Sequence, residues 1–275
     1  MPPQRPPLFD VRAVKAALLR AQRMGGDRFL EDAALEGLTD RLSAITRRFR
    51  QGLWIGETVP PSIRPFAEDW SLADFDGREI LSASEAGFDL AVSLYTLQSI
   101  NDLPGALIQI YRSLKPDGLF LAALFGGDTL KELRDSFALV ESELRGGISP
   151  HVAPFADVRD LGGLLQRAGF ALPVADSEKL TVRYSSLANL VRDLRAHGLT
   201  NVLTARPRRF LGRRIFDNVK ACYAANHALD GKLNATFETI FLTGWSPHES
   251  QQKPLKPGSA KTRLSDALGT VERKL

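Results

Sequence analysis

Few side chains in this sequence stand at spacings that would let them do chemistry, and each has a plainer structural reading beside it. His151 sits in Ser149-Pro150-His151-Val152-Ala153-Pro154-Phe155, a loop stiffened by two prolines. An imidazole held there would orient a substrate or carry a proton near neutral pH. The plainer reading, which carries more weight, is a loop histidine bonded to a backbone carbonyl. Asp128 follows Gly126-Gly127 at the end of an apolar run, where the strand ends of a parallel sheet gather ligands. It reads first as the N-cap of the next helix and second as a substrate contact. His197, His227 and His248 show no ligand spacing with one another or with acids, and the lone Cys222 leaves neither a cysteine zinc site nor an internal disulfide. No metal site is expected.

The largest charged run is Arg206, Arg208, Arg209, Arg213, Arg214 and Lys220. No aromatic array or nucleic-acid module accompanies it, so nucleic acid is the weaker partner. A solvated face, or a docking surface for an acidic protein centred on Arg208, Arg209 and Arg213, is the stronger reading. The net charge of +4 divides as +4 over residues 1–50, −8 over 51–150, +1 over 151–205 and +7 over 206–275. A basic N-terminal helix also admits membrane-surface contact as a minor role. No apolar run approaches the ~20 residues that span a bilayer, and MPPQRPPLFD lacks the core of a signal peptide. The expected location is cytoplasmic.

The elements that must position these residues follow from periodicity. Apolar residues recur at helical spacing over Val11 to Met24, closed by Gly25-Gly26, and again from about Phe29 to Phe49. From Gly52 to Gly87 the signal is weak: LWIG, DWSLADFDG and REILSAS are short strand candidates around the proline-rich VPPSIRPF. FDLAVSLYTL and GLFLAALFGG read as strands buried on both faces, joined by a helix with Asn101 or Asp102 as cap and Pro104 in its first turn. Helices follow over DTLKELRDSFALVESEL and DVRDLGGLLQRAGF, then a strand or bent pair over ALPVADSEKLTVRY. Helices over SLANLVRDLRAHG and RPRRFLGRRIFDNVKACYAANHA precede an alternating strand, NATFETIFLTGWSP. Alternating strands and helices with short links specify a parallel α/β sheet. The chain divides into an N-terminal helical extension (1–50), an α/β domain (51–247) with inserted helices over 186–227, and a polar tail (248–275).

A buried strand, Asn101-Asp102-Leu103-Pro104, a helix ending Leu-Lys-Pro-Asp-Gly and a second buried strand resemble the fourth-to-fifth strand passage of class I S-adenosylmethionine-dependent methyltransferases. NDLPGALIQIYRSLKPDGLFLAALFGGDTLKELR, SPHVAPFADVRDLGGLLQRAGF and TGWSPHESQQKPLKPGSAK are similar to the methyltransferase-type complex I assembly factors and their alphaproteobacterial homologues. The similarity runs from about Phe88 to Leu268, with a weaker match in the N-terminal helices. It implies a doubly wound, mostly parallel, seven-stranded Rossmann-like sheet with a reduced N-terminal half. It also implies S-adenosylmethionine as cofactor and a protein side chain as substrate. The mitochondrial branch of the family is linked to arginine hydroxylation, and related bacterial members to methylation of a malonyl thioester.

Carried onto this sequence, the cofactor crevice is lined by Gly56, by Asp74 or Asp76 at the ribose, by Ser84 or Glu85 at the adenine, and by Ser93, Leu94 and Gln98. The turn after the first strand is Ile55-Gly56-Glu57-Thr58-Val59-Pro60, one glycine where the family fingerprint places three, with prolines where its helix begins. Relatives tend to carry Leu-His-Trp where this chain has Leu97-Gln98-Ser99. Two functions remain open: a methyltransferase-like enzyme acting on a protein, or an inactive assembly platform whose crevice is closed by Trp54, Pro60 or Pro61.

Overall fold

In the computed structural model, which describes residues 6–208 and 211–252, the chain begins with helices α1 (Val11–Met24) and α2 (Phe29–Ser43). Strands β1 (Phe49–Ile55), β2 (Ala67–Ala73) and β3 (Phe88–Leu94) follow, then α3 (Leu103–Ser113) and β4 (Leu114–Phe125). Next come α4 (Lys131–Arg145), α5 (Val158–Ala168), β5 (Ala171–Tyr184), α6 (Leu187–Ala196), α7 (Arg213–His227), β6 (Ala228–Leu229) and β7 (Lys232–Trp245). The seven strands form one sheet in the order β2-β1-β3-β4-β7-β5, with β6 on β7. β1, β2, β3 and β4 pair in parallel, and β7 lies antiparallel to both β4 and β5. Every strand but β7 therefore points one way, as expected for a mostly parallel doubly wound sheet.

The local chemistry explains most boundaries. Asp10 caps α1 by accepting from the amides of Arg12 and Ala13, and Asp102 caps α3 at Gly105 with Pro104 in the first turn. Gly146 and Gly169, both at positive φ, end α4 and α5. α2 stops at Ser43, so Phe49 and Arg50, at the edge of the expected helix, open β1, where Phe49 is buried. α7 starts only at Arg213, after Gly212. Of the expected tail, residues from 253 onward lie outside those described, as does Arg209.

The first half of the sheet is reduced. Only residues 56–66 separate β1 from β2, and Pro60, Pro61 and Pro65 leave that crossover a three-residue 3-10 turn, Arg64–Phe66, where a parallel pair ordinarily has a full helix. REILSAS forms no ladder; a single bridge joins Phe75 and Leu81.

One face of the sheet packs Phe120, Ala122 and Ile55 against Leu107 and Ile110 of α3 and Leu161 and Leu165 of α5. The other packs Trp54, Leu90, Val92, Leu121 and Phe241 against Leu38 and Leu42 of α2. β5 and β7 extend past the end of β4, whose Phe125 is level with Thr239, and the overhang is buried by Val219 and Tyr223 of α7 with Leu190 of α6. Leu38 is fully buried whereas Leu18 on α1 is 51% exposed. Leu38→Ala should cost about 2–5 kcal/mol through lost burial and a residual cavity, and Leu18→Ala less than about 0.5 kcal/mol, as read from denaturant midpoints.

Candidate functional site

The C-terminal ends of β1, β2 and β3 form the edge where a doubly wound sheet binds ligands. Gly56 leaves β1 at φ +152° and donates its amide to the Ala73 carbonyl at 2.8 Å. The Trp54 indole lies against it: a Cβ on Gly56 would stand 2.8 Å from Nε1. No α-helix follows this turn before β2, so the β1 crossover itself presents no helix N-terminus to the edge.

α1 crosses above this edge and is tied at both ends. Asn101, at the start of α3, accepts from the Phe9 amide (2.7 Å) and donates to the Phe9 carbonyl (3.2 Å). At the other end Gln22 Nε2 donates to Glu57 Oε2 at 2.6 Å, just past Gly56. Asp10 pairs with Arg206 at 2.9 Å, and Phe9 bridges to Leu203.

The acids expected at the ribose are engaged locally. Asp74 is exposed and accepts the neighbouring Phe75 amide. Asp76 accepts the amides of Ile80 and Arg78 (2.9 and 2.7 Å); these bonds, more than the nearby Arg78 and Lys15 charges, hold its carboxyl below the usual range. Glu79, which sequence reasoning passed over, takes the amides of Asn101 and Asp102 and the Asn101 side chain, all within 2.9 Å, at φ +61°. Its only sequence signal was a third acid close to Asp74 and Asp76.

Ser84 and Glu85 come out at the opposite edge. Ala86 and Gly87 donate to the carbonyls of Arg112 and Ser113, at the end of α3 and the N-terminal ends of β3 and β4. The strand that would have carried Ser84 and Glu85 to the crevice does not form, so the chain passes them while returning to start β3. Ser93, Leu94 and Gln98 do reach the ligand edge. Ser93 Oγ and Gln98 Oε1 are buried without a hydrogen-bond partner, while Gln98 Nε2 donates to the Tyr95 carbonyl at 2.6 Å. Tyr95, at φ +51°, stacks on Phe125 at 4.0 Å and shares a 2.7 Å hydrogen bond with Thr239; burial pushes its phenol well above the ordinary range. Trp54 is buried and Pro61 exposed; the element lying over the edge is α1 rather than the prolines.

S-adenosylmethionine would need a glycine cradle for its methionyl end, a free acid for its ribose and a flank for its adenine. Here the single glycine is backed by Trp54, Asp74 and Asp76 bond their own loop through Oδ1 alone and keep Oδ2 toward solvent, and the adenine flank is at the other edge. These residues do not assemble the cradle, and the two orphaned oxygens of Ser93 and Gln98 mark polar lining.

Asp128 does not cap α4. The Leu130 amide donates to the Thr236 carbonyl and Thr129 Oγ1 to the Glu238 carbonyl, so β7 holds these residues and the helix begins at Lys131 after Leu130 at φ +56°. The Asp128 carboxylate instead meets Lys179 Nζ at 2.5 Å and Lys131 at 3.8 Å, and the Lys179 hydrogen bond chiefly holds its carboxyl below the usual range. Its amide donates to Glu238 Oε2 at 2.9 Å. Arg208 and Arg213 are exposed near the start of α7. The crevice residues, the Asp128 cluster and these arginines thus occupy three separate places.

His151 is packed rather than free. Its ring stacks on Phe137 at 3.9 Å, and Nε2 stands 3.0 Å from Oε1 of Glu141 on α4, an ion-pair distance at an angle unsuited to a hydrogen bond. Its partner is thus a carboxylate in place of the expected backbone carbonyl. Glu141 is fully buried and also takes Arg145 (2.8 Å) and the Ser149 amide (2.7 Å). Burial pushes its carboxyl up, but His151 and Ser149 outweigh it and hold the group below the ordinary range. A depressed carboxylate stabilises the fold above its unfolded pKa of ~4.3 and loses that contribution as pH falls through the folded value. Glu141→Gln should therefore lower stability by about 1.5–3 kcal/mol at pH 7, with the difference from wild type narrowing below about pH 4 in pH-resolved thermal melts.

A family model described as "Methyltransferase domain" matches residues 33–173. The chain is 43% identical over 194 residues to "Arginine-hydroxylase NDUFAF5, mitochondrial" of Dictyostelium discoideum, covering 70% of this chain and 44% of that protein. It is 42% identical over 216 residues to the Homo sapiens protein of the same name, covering 78% and 59%. A malonyl-acyl-carrier-protein O-methyltransferase of Laribacter hongkongensis is 35% identical over 180 residues, with 66% and 58% covered. The chain thus spans about half the length of these curated relatives. A crystal structure of a candidate methyltransferase from Bacillus halodurans superposes with a TM-score of 0.51 at 13% identity, covering 77% of this chain and 98% of that one, and shares the fold. With the family matched over just over half of its residues, the chain belongs to the methyltransferase-domain family, whose cofactor is S-adenosylmethionine.

Proposed function

We propose that this chain is an assembly or interaction platform built on a methyltransferase fold, of the complex I assembly-factor type. The observation that carries this reading is α1, tied from Asn101 to Glu57 across the strand ends above a turn with one glycine. An extended nucleoside cofactor would need that helix displaced and would still meet no glycine cradle. The partner is an acidic protein that docks on the basic segment around Arg208, Arg209 and Arg213. The single cysteine suits a reducing, cytoplasmic compartment, and no helix among the described residues is long and apolar enough to cross a membrane. Among those residues no group of acids, histidines or cysteine could hold a metal ion.

A second reading, an S-adenosylmethionine-dependent enzyme acting on a protein side chain, is favoured by the buried, unpartnered oxygens of Ser93 and Gln98 at the ligand edge. Buried polar groups ordinarily have partners, and a bound polar ligand would supply them.

Isothermal titration separates the two. The platform reading expects no binding of S-adenosylmethionine tighter than about 100 μM, roughly −5.5 kcal/mol; a tighter, stoichiometric isotherm abolished by Ser93→Val would establish the enzyme reading instead. Replacing Arg208 and Arg213 with Glu should weaken capture of the acidic partner about tenfold or more, at least ~1.4 kcal/mol, and added salt should weaken the wild-type complex in the same direction.

A further inference from the structure

The stretch that joins α6 to α7 serves two structures at once. Its Val202 to Arg206 portion holds the N-terminal end of α1: Asp10 donates its amide to the Val202 carbonyl and Thr204 its amide to the Leu8 carbonyl, each at 2.9 Å, and Phe9 is buried with Val202 and Leu203. Arg208 follows two residues after Arg206, exposed, and the chain then leads into Arg213 at the start of α7. The anchor of the helix over the ligand edge and the basic surface therefore lie on one short run of chain.

Arg206 belongs to both. Its Nη2 donates to Asp10 Oδ2 at 2.9 Å and its Nη1 to the Leu203 carbonyl at 2.7 Å. Asp10 divides its carboxylate, Oδ1 accepting the Arg12 and Ala13 amides that cap α1 while Oδ2 takes Arg206. The Arg206 hydrogen bond, ahead of the Ala13 amide, holds the Asp10 carboxyl below the usual carboxylate range. The two side chains are 22% and 24% exposed, so a carboxylate arriving from solvent can reach the pair. From Phe9 the ties run inward: Asn101 bonds both backbone groups of Phe9 and is itself held by Glu79 Oε1, at 2.8 and 2.9 Å. At the far end of α1, past the exposed Gln22–Glu57 bond, Gly25 and Gly26 take φ +58° and +126°, and nothing packs where a Gly25 side chain would stand. Glycines at such angles form a pivot.

We infer, resting on the platform reading and its basic docking surface, that an acidic partner takes Arg206 from Asp10 as it docks, and that this exchange of one carboxylate for another loosens α1 from the ligand edge about Gly25-Gly26. Docking on the basic segment then uncovers Ser93 and Gln98, whose buried oxygens lack protein partners. A ligand entering the crevice strengthens partner docking in return, because coupling between two sites is reciprocal. One ion pair of this exposure shifts an equilibrium about twofold to fivefold, so the coupling is graded.

Hydrogen exchange of the full chain tests this, read by mass spectrometry over Val14 to Met24 with β4 and β7 as internal reference. A capped octaglutamate peptide stands in for the partner, and capped octaglutamine is the uncharged control. Asp10→Asn removes the charge facing Arg206 and keeps a capping oxygen, so without peptide it should speed α1 exchange about twofold to fivefold and leave β4 and β7 unchanged. Octaglutamate should speed α1 exchange in wild type by a similar factor, add nothing in Asp10→Asn, and bind that variant about twofold to fivefold more tightly by calorimetry; octaglutamine should do none of these. Replacing Arg208 and Arg213 with Glu should weaken octaglutamate binding while α1 exchange without peptide stays at the wild-type rate. An α1 rate unchanged in Asp10→Asn, or octaglutamate that binds wild type without speeding α1, overturns the inference and leaves the platform reading standing. Octaglutamate that fails to bind wild type overturns the inference and the basic docking surface alike.

Discussion

Antiparallel β7, inserted between β4 and β5, is the constraint on which most of the molecule depends. Its backbone completes both ladders. Its side chains and carbonyls then fix the surrounding helices: Thr236 binds the buried Glu132 of α4, the Glu238 carbonyl holds Thr129, Thr239 holds Tyr95, and Phe241 carries Arg41 of α2 stacked 3.7 Å above it. Gly37 lies so close to the Phe241 ring that a Cβ there would not fit. Arg41 also pairs with Asp176 and Glu178 on β5, joining α2 to the edge strand. Because β5, α2 and α4 are all referenced to one strand, a shift in β7 register would reverse every one of these faces.

The ligand edge obeys a different economy. Two of the seven non-glycine residues at positive φ among the described residues, Glu79 and Tyr95, lie at it, in a conformation that costs of order 1–3 kcal/mol when non-glycine residues are held there by their surroundings. Glu79 is held by three donors and Tyr95 by stacking and a hydrogen bond. Asp76 and Glu79 serve here as internal fasteners.

The sequence made the β3-α3-β4 passage readable because both signals there are local. The seven-residue apolar β3, the apolar run that ends β4 and a capped helix need no partner to be recognised. The 56–87 stretch was opaque for the opposite reason: its structure is set by side-chain bonds to distant residues such as Asn101 and Gln109, and a weak strand pattern cannot say on which edge of the sheet Ser84 will fall. Asp128 was misread because a cap pattern is local while the competing bonds come from β7, some 110 residues later. Glu141 and Glu238 looked like ordinary helix and strand acids. Only burial distinguishes them, and a single sequence does not report burial of charge.

Helix α1 turns its small residues inward. Ala17 is the one residue of the helix that is fully buried, while Leu18, Leu19 and Met24 face solvent. A helix that buries so little apolar surface draws little from the hydrophobic effect, at ~25 cal/mol per Å², and depends on the polar ties at its two ends. Its free energy of local opening therefore belongs at the low end of the range spanned by a domain, well below that of the β4-β7 ladder. In hydrogen exchange, the amides of α1 would report a separate and shallower cooperative unit, one that opens many times for each opening of the sheet.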